Sequence, residues 1–124
     1  MEMTSALTAL SALAHERRLE IFRLLVGAGP AGCAAGEISD ALGLAPATLS
    51  FHLKELATAG LVRARPDSRF IYYSASYERM ADLLAYLTEH CCQGMPEKCL
   101  ATIGDAVEQC CPPARSRKPA RRTS

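Results

Sequence analysis

The clearest pattern of apolar and polar positions lies in the stretch LGLAPATLSFHLKELATAGLV at residues 42–62. It predicts a helix over residues 46–59, because proline suits the first helical turn and a left-handed glycine suits the position just past the end. Pro46 and Gly60 occupy those two places. Three leucines mark one face of the helix at spacings of four and three residues: Leu49, Leu53 and Leu56.

A shorter helix is predicted over residues 37–42, and Gly43 separates the two. Two helices joined by a tight glycine-containing turn are typical of the helix-turn-helix, whose second helix enters the major groove of DNA. The second helix is small or polar on its other face except for Phe51. The candidates for DNA contact there are Ala47, Thr48, Ser50, Phe51 and Lys54. A plain helix hairpin in an all-α domain would give the same local pattern.

After Gly60 the pattern changes from helical to alternating. Two short extended runs around a turn at residues 66–68 predict a β-hairpin. Three arginines on it are further candidates for DNA contact: Arg63, Arg65 and Arg69. This order of elements is that of a winged helix, although a hairpin can also be an edge sheet with solvated arginines. The predicted fold is mainly α with a small β-hairpin (α+β), a dimeric winged helix-turn-helix.

Two helices and a loop are predicted before the helix-turn-helix. The first helix begins near Thr4 or Ser5, and the second spans residues 15–26. The inward face of the second helix is predicted to hold Leu19, Phe22, Leu25 and Val26. Four glycines and a proline in residues 27–36 predict a loop.

The longest amphipathic helix is predicted over residues 76–92. Its apolar stripe and that of the first helix lie outside the compact DNA-binding unit. The two stripes could pack on each other within one subunit, but repressors of this size usually bind two half-sites through two-fold symmetry. The candidates for a homodimer interface are Leu7, Leu10, Met80, Leu83, Leu84 and Leu87.

Charge is distributed unevenly along the chain. The net charge is +1, but five of the fourteen basic residues lie after Cys111, so residues 1–111 hold nine basic and thirteen acidic residues. A DNA-binding protein with such a body must concentrate positive charge locally. No apolar run reaches the roughly 18 residues of a membrane span, and the charges near Met1 are arranged opposite to those of a signal peptide. We therefore expect a cytoplasmic protein with no membrane partner.

Five of the six cysteines lie within residues 91–111. In a reducing compartment, such grouping indicates soft-metal or redox chemistry rather than disulfides. Adjacent cysteines on a helical turn point about 100° apart, so Cys91 and Cys92 can both reach one large ion beyond the helix end. A glycine and a proline follow, and they allow the chain to turn back and deliver Cys99. Three thiolates without a fourth ligand suit trivalent arsenic or antimony.

Other interpretations of these cysteines stay open. A tetrahedral zinc or cadmium site would take His90 as its fourth ligand, and exposed thiols without a ligand are a further possibility. The pair Cys110 and Cys111 could supplement the main site or bind a monomethylated trivalent arsenical. Cys33 is interpreted as a small loop residue, and two histidines are interpreted as helix-surface or capping residues: His15 and His52.

Catalytic chemistry is not indicated by the sequence. It has no Cys-x-x-Cys motif, no arrangement of nucleophile and base, and no cofactor-binding loop. We therefore expect no enzyme. A thiol redox enzyme and a regulator that senses oxidation through the same thiols remain as alternatives.

Four segments in this order resemble the ArsR family of metal-responsive winged-helix repressors, and within it the arsenical sensors. They are LSALAHERRLEIFRLL, EISDALGLAPATLSFHLKELATAGLV, RARPDSRFIYYSA and HCCQGMPEKC. The resemblance covers roughly residues 4–99. It implies a homodimer that represses an arsenic-resistance operon and leaves operator DNA when arsenite or antimonite binds.

The chain also departs from this family pattern. Many relatives carry Cys-x-Cys on the third helix, but residues 37–42 contain no cysteine. The inducer site is therefore predicted at the end of the longest helix, with Cys91, Cys92 and Cys99 as ligands. On the recognition helix, Thr48, Ser50 and Lys54 are the first candidates for base contact, and Phe51 is placed to meet a thymine methyl group.

Three regions are predicted from these patterns. Residues 1–99 form the winged helix-turn-helix and dimerisation domain. Residues 100–111 form a short C-terminal helix with the second cysteine pair. Residues 112–124 have no apolar periodicity and are expected to be a flexible basic tail.

Overall fold

A computed structural model of the chain describes residues 1–89, which contain five helices and a three-stranded antiparallel sheet. The helices are α1 Met3–Leu13, α2 Glu16–Ala28, α3 Ala35–Leu42, α4 Pro46–Thr58 and α5 Tyr77–Thr88. The strands are β1 Cys33–Ala34, β2 Val62–Asp67 and β3 Phe70–Ala75. The predicted helix-turn-helix followed by a hairpin is confirmed. None of the helices in this part of the chain is long and apolar enough to cross a membrane.

The core lies where α2, α3 and α4 meet. Its largest fully buried side chains come from these three helices and from the residue that follows Gly60: Ile21, Leu25, Ile38, Leu49, Leu56 and Leu61. All three predicted leucines of α4 are buried. The helix ends as predicted, because Gly60 adopts a left-handed φ of 80°. Burial of α4 on one side therefore fixes which residues it exposes on the other.

The predicted inward face of α2 was wrong at one position. Leu19 is 43% exposed, and Ile21 is fully buried instead. Ile21, Phe22 and Leu25 share the buried face. Because each residue advances the helix by 100°, Leu19 lies about 160° from Ile21 and falls outside that face.

The predicted loop at residues 27–36 contains a strand. α2 continues to Ala28, and β1 then pairs antiparallel with β3 through Cys33↔Tyr73 and Ala34↔Tyr72. The backbone N–H of Ala34 donates to the Glu37 carboxylate at 2.8 Å. This bond caps α3, which begins at Ala35 rather than at residue 37. A two-residue strand is too short to show a period, so only its partner reveals it.

α1 packs through alanines rather than leucines. Its buried positions are Ala6, Ala9 and Ala12. Leu7 and Leu10 follow two of these alanines by one residue and are exposed by 55% and 39%. The Arg18 side chain donates to the carbonyl oxygen of Ala12 at 2.7 Å, which joins the end of α1 to α2. Small residues allow this close packing, and the leucines remain on the outside.

The hairpin turns at Ser68 and Arg69, slightly later than predicted. Pro66 pairs with Ile71 within the ladder, and Asp67 pairs with Phe70 at its end. Ser68 adopts a positive φ of 60°, as two-residue hairpin turns require. Arg69 therefore lies at the tip of the hairpin, beyond the last pair of the ladder.

α5 is joined to the rest of the fold at its first turns. The Ser76 N–H donates to the carbonyl oxygen of Leu61 at 2.8 Å. The Tyr77 hydroxyl donates to the carbonyl oxygen of Val26, also at 2.8 Å. Further along α5, Leu83 is buried in the core. α5 is thereby bonded both to the segment behind α4 and to the end of α2.

Replacement of Gly32 by alanine should destabilise the fold strongly. Gly32 has φ +76°, and a Cβ there would lie 2.2 Å from the backbone oxygen of Tyr73 in β3. We expect Gly32→Ala to lower the free energy of unfolding by about 3 kcal/mol. Urea unfolding of the full chain, followed by circular dichroism, measures this change.

The matched control is Gly27→Ala in α2. A Cβ at Gly27 meets nothing within 4 Å, and Gly27 has no positive φ. Removing backbone freedom from the unfolded chain should make this variant as stable as the natural chain or more stable by up to about 1 kcal/mol. Equal unfolding midpoints for the two variants would contradict the assigned pairing of β1 with β3.

Candidate nucleic-acid interface

The turn between α3 and α4 is held by two bonds across it. The Leu44 N–H donates to the carbonyl oxygen of Ser39 at 3.1 Å, and the Ser39 hydroxyl donates back to the carbonyl oxygen of Leu44. Gly43 lies between them in a left-handed conformation. Leu44 itself is buried. The turn therefore sets the angle at which α4 leaves α3.

The outward face of α4 carries the predicted DNA-contact residues. The following side chains are all exposed: Ala47, Thr48, Ser50, Phe51 and Lys54. Phe51 is the largest of them, and it is 58% exposed. Because the opposite side of α4 is buried, this face is a fixed surface with a small polar rim and an apolar centre.

His52 is not a surface residue, contrary to the prediction. It is 6% exposed, and its buried Nδ1 atom has no hydrogen-bond partner among residues 1–89. Its ring lies 4.7 Å from that of His15, measured between centroids. His15 does cap α2 as predicted, since its Nδ1 accepts from the Arg17 N–H at 3.2 Å. Sequence spacing gave no sign of this pair, because His15 and His52 lie far apart in the chain and their rings meet only after folding.

The pKa of His52 is lowered. Burial is the largest cause, because it disfavours the charged imidazolium, and the neighbouring His15, Arg18 and Arg17 repel a further positive charge. His52 is therefore held neutral on the recognition helix.

The three hairpin arginines differ in what they contact. Arg63 forms an ion pair with Glu78 of α5. Arg65 lies 3.5 Å from the Asp67 carboxylate, donates to the carbonyl oxygen of Ala31 at 3.3 Å, and stacks over the Tyr72 ring at 4.9 Å. All three remain exposed. Arg69, at the tip, is the arginine without an ion pair among the described residues of the hairpin.

The tip of the hairpin also exposes apolar side chains that the sequence analysis did not single out. Phe70 is 57% exposed and Ile71 is 42% exposed. The Phe70 ring lies 6.5 Å from that of Tyr72. The alternation of the strand could have indicated Phe70, because it directly follows Arg69 at the turn. The tip thus combines one cation with an apolar surface.

The six predicted interface residues divide into two groups. Leu83 is buried in the subunit core, and Met80 is half-buried against it. The other four are exposed on α1 and α5: Leu7, Leu10, Leu84 and Leu87. The Tyr86 hydroxyl contacts the Met3 sulfur at 3.5 Å, which brings these two helices together. α1 and α5 therefore touch at this point, and we call their four exposed leucines the α1–α5 surface.

The predicted metalloid ligands lie outside the described residues, as do His90 and the second cysteine pair: Cys91, Cys92, Cys99, Cys110 and Cys111. Within residues 1–89 there is no group of three or more potential metal ligands. Cys33 is half-buried in β1, and burial, followed by the nearby Glu37, raises the pKa of its thiol. A raised pKa reduces the thiolate fraction, so Cys33 is a poor nucleophile and metal ligand.

Comparison with known proteins now adds to this geometry. Residues 13–65 match a family of helix-turn-helix domains. The transcriptional activator HlyU of Vibrio cholerae is 34% identical over 95 residues, which cover 75% of this chain and 85% of that protein. The structure of HlyU superposes with a TM-score of 0.57 at 36% identity, over 70% of this chain and 97% of the other. The chain belongs to the ArsR family of winged helix-turn-helix transcriptional regulators.

Other members of the ArsR family are also similar. The winged helix-turn-helix domain of Mb0332 from Mycobacterium bovis, described as homodimeric, has a TM-score of 0.59 at 27% identity over 86% of this chain and 85% of that one. The nodulation protein NolR of Rhizobium meliloti is 36% identical over 80 residues, 64% of this chain and 63% of its own length. A candidate arsenical resistance operon repressor of Halobacterium salinarum is 38% identical over 76 residues, 61% of this chain and 58% of its own length.

Family membership identifies the exposed face of α4 as the candidate DNA-binding surface. ArsR-family regulators are DNA-binding proteins rather than enzymes, and α4 is the second helix of the helix-turn-helix. The hairpin of β2 and β3 is the wing.

The buried His52 should make the fold sensitive to mild acid. The unfolded chain takes up a proton on His52 near pH 6.5, whereas the folded chain does so only at lower pH because its pKa is lowered. The stability due to neutral His52 is thus complete above about pH 6.5 and is lost as the pH falls through the folded-state pKa. Urea unfolding between pH 7.5 and 5.5 should show stability falling by up to about 1.4 kcal/mol per pH unit.

A His52→Gln variant separates this effect from other titrations. It should unfold at lower urea at pH 7.5, but its stability should depend less on pH over the same range. An unchanged pH slope in His52→Gln would show that His52 is not the responsible group.

Proposed function

We propose that this chain is a homodimeric repressor of an arsenic-resistance operon, which binds operator double-stranded DNA in the cytoplasm and is released by trivalent arsenic or antimony. The observation that carries the DNA-binding part is the fixed, exposed face of α4 beside an exposed wing. α4 enters the major groove, and Thr48, Ser50 and Lys54 contact base edges. Arg69 contacts the phosphate backbone or the minor groove from the wing, with Arg63 and Arg65 beside it.

The dimer is supported by the apolar surface on α1 and α5. Its leucines are exposed by 39–56%, and exposed apolar patches of this kind mark interaction sites. A two-fold interface along these helices would place the two copies of α4 on two half-sites of an operator. The homodimeric description of the Mb0332 domain agrees with this arrangement.

The inducer site is assigned to Cys91, Cys92 and Cys99, with Cys110 and Cys111 as auxiliary ligands. The chemistry of the donor set supports this, because thiolates are soft ligands and three of them suit trivalent arsenic or antimony, as arsenite, antimonite or a methylated trivalent arsenical. Cys91 follows the last residue of α5, Thr88, by three positions. Similarity to a candidate arsenical resistance operon repressor is consistent with the same inducer.

A route from α5 to the recognition helix exists in the contacts behind α4. The Arg79 guanidinium lies against Gly60, where a Cβ would be only 2.9 Å from its Nε atom. Ser76 bonds to Leu61 directly after Gly60. A displacement of α5 would therefore move the end of α4. A coupling of roughly 1–3 kcal/mol between inducer and DNA would change operator affinity 5- to 150-fold.

A second candidate function is thiol-based sensing of oxidation, or of zinc or cadmium, by the same cysteines. The five cysteines in residues 91–111 would serve it equally. HlyU, a relative of this chain, has been solved in a reduced form. In this case the winged helix-turn-helix and its DNA contacts stay as proposed, and only the chemical that releases the DNA differs.

Arsenite should release the operator. An operator duplex selected from a random library is labelled, and its binding is followed by fluorescence anisotropy with arsenite, antimonite, methylarsenite, zinc or peroxide added. We expect arsenite and antimonite to lower affinity 5- to 150-fold. Cys91→Ser, Cys92→Ser and Cys99→Ser should each bind DNA normally and lose this response, because each removes one of three thiolates.

Two variants serve as controls. Cys33→Ser removes a thiol in β1 and should respond as the natural chain does. The double variant Cys110→Ser/Cys111→Ser should keep the response to arsenite. Release by peroxide or zinc while arsenite leaves the complex intact would establish the second candidate function instead.

Charges on the α1–α5 surface should separate the subunits. The double variant Leu7→Glu/Leu87→Glu replaces two side chains that are each 55% exposed. We expect it to fold but to sediment as a monomer, and to bind the operator roughly 100-fold more weakly, because the second half-site is no longer bound in the same complex.

Leu19→Glu is the matched control. Leu19 is exposed by 43% on α2, away from this surface. The change adds one acid where the double variant adds two, so it reports how much each added negative charge weakens DNA binding by itself. Sedimentation of the double variant as a dimer would contradict the assigned interface.

A further inference from the structure

The outward face of α4 has an apolar centre. Phe51 follows the fully buried Leu49 by two residues, which places it about 200° around the helix, almost directly opposite the core. Ala47 lies one turn earlier on the same face, since residues four apart are neighbours on a helix. Both are exposed, and the Phe51 side chain is 58% exposed. The part of α4 farthest from the core thus presents a ring and a methyl group.

Few of the side chains that read bases by hydrogen bonds are present on this helix. Arg or Lys pairs with guanine and Asn or Gln pairs with adenine, each through two bonds, and Glu or Asp accepts a bond from cytosine. α4, with sequence PATLSFHLKELAT, contains no Arg, Asn or Gln, and it offers Lys54 and Glu55. Thr48 and Ser50 can make single bonds, and Lys54 is a flexible point charge. This face therefore has no side chain that pairs with adenine through two bonds, and its paired hydrogen bonding to guanine depends on Lys54.

The Phe51 ring contacts the ring of the residue that follows it, His52. The two rings lie 5.7 Å apart at an angle of 60°. His52 is buried and in turn lies against His15 at the start of α2. An aromatic side chain loses little conformational entropy when DNA contacts it, because it has only two side-chain torsions.

We propose that this chain reads its operator chiefly through thymine C5-methyl groups, which Phe51 and Ala47 contact in the major groove. The proposal rests on the DNA binding described under Proposed function and names the base that confers specificity. Thymine is the base that presents a methyl group there. Lys54 and the polar rim then contribute affinity and orientation. The required half-site carries thymines opposite the first two turns of α4.

Uracil in place of thymine tests this directly, because it removes the methyl group and leaves the Watson–Crick edge unchanged. Duplexes from the selected operator are made with each thymine replaced in turn by deoxyuridine. We expect the natural chain to bind about fourfold more weakly for each contacted methyl group that is lost. Replacement at other positions should have no effect.

Phe51→Ala identifies the side chain responsible. It should bind the natural operator more weakly and should bind the thymine and uracil duplexes equally at the position that Phe51 contacts. Its melting temperature should be unchanged, because the ring is exposed. Phe70→Ala at the wing tip is the matched control. This variant loses a ring that is equally exposed. Its affinity for the operator is free to fall, but we expect it to keep the preference for thymine over uracil.

Two results would overturn the inference, and both can be told apart from failure of the proposed function. A selected operator that binds equally well with every thymine replaced would exclude reading by methyl groups. A uracil effect that persists at every sensitive position in Phe51→Ala would show that Phe51 contacts none of the methyl groups. Absence of any sequence-specific complex would instead reject the DNA-binding function, and this inference with it.

Discussion

The structure depends on burial of the leucine side of α4. Leu49, Leu53 and Leu56 are removed from water in the core that α4 shares with α2 and α3, at roughly 1.5–3 kcal/mol for each fully buried side chain. This burial fixes the rotation of α4 about its own axis. Burial of the leucine side therefore determines which residues of α4 are exposed and available to contact DNA. The turn at Gly43 and the left-handed Gly60 then fix where the recognition helix starts and ends.

α5 connects the two surfaces on which the proposed function relies. One part of it packs into the subunit through Leu83 and is bonded to the segment behind α4 through Ser76. Another part exposes Leu84 and Leu87, two of the four leucines of the α1–α5 surface. Such a helix belongs to both the DNA-binding unit and the proposed interface. In the proposed dimer, a displacement of α5 would change the distance between the two copies of α4 without changing either copy.

The three arginines of the wing have different contacts in the folded chain. Arg63 neutralises Glu78, and Arg65 supports the β1 side of the sheet through Ala31 and Tyr72. Arg69 lies at the tip, beyond the ladder. The sequence presents three equivalent arginines, because spacing along a strand does not reveal partners from other elements. Only the folded chain separates the arginines that hold the wing together from the one at its tip, which has no ion pair among the described residues.

The sequence by itself determined the helix-turn-helix, the wing and the faces of α4, because leucine spacing, glycine positions and alternation act locally and agree with one another. Tertiary structure decided the rest. β1 exists because β3 offers backbone partners to Cys33 and Ala34, and His52 is buried because α2 brings His15 against it. The alanine side of α1 was likewise chosen by packing, since alanines and leucines recur there with the same period and only close approach of helices favours the smaller side chain.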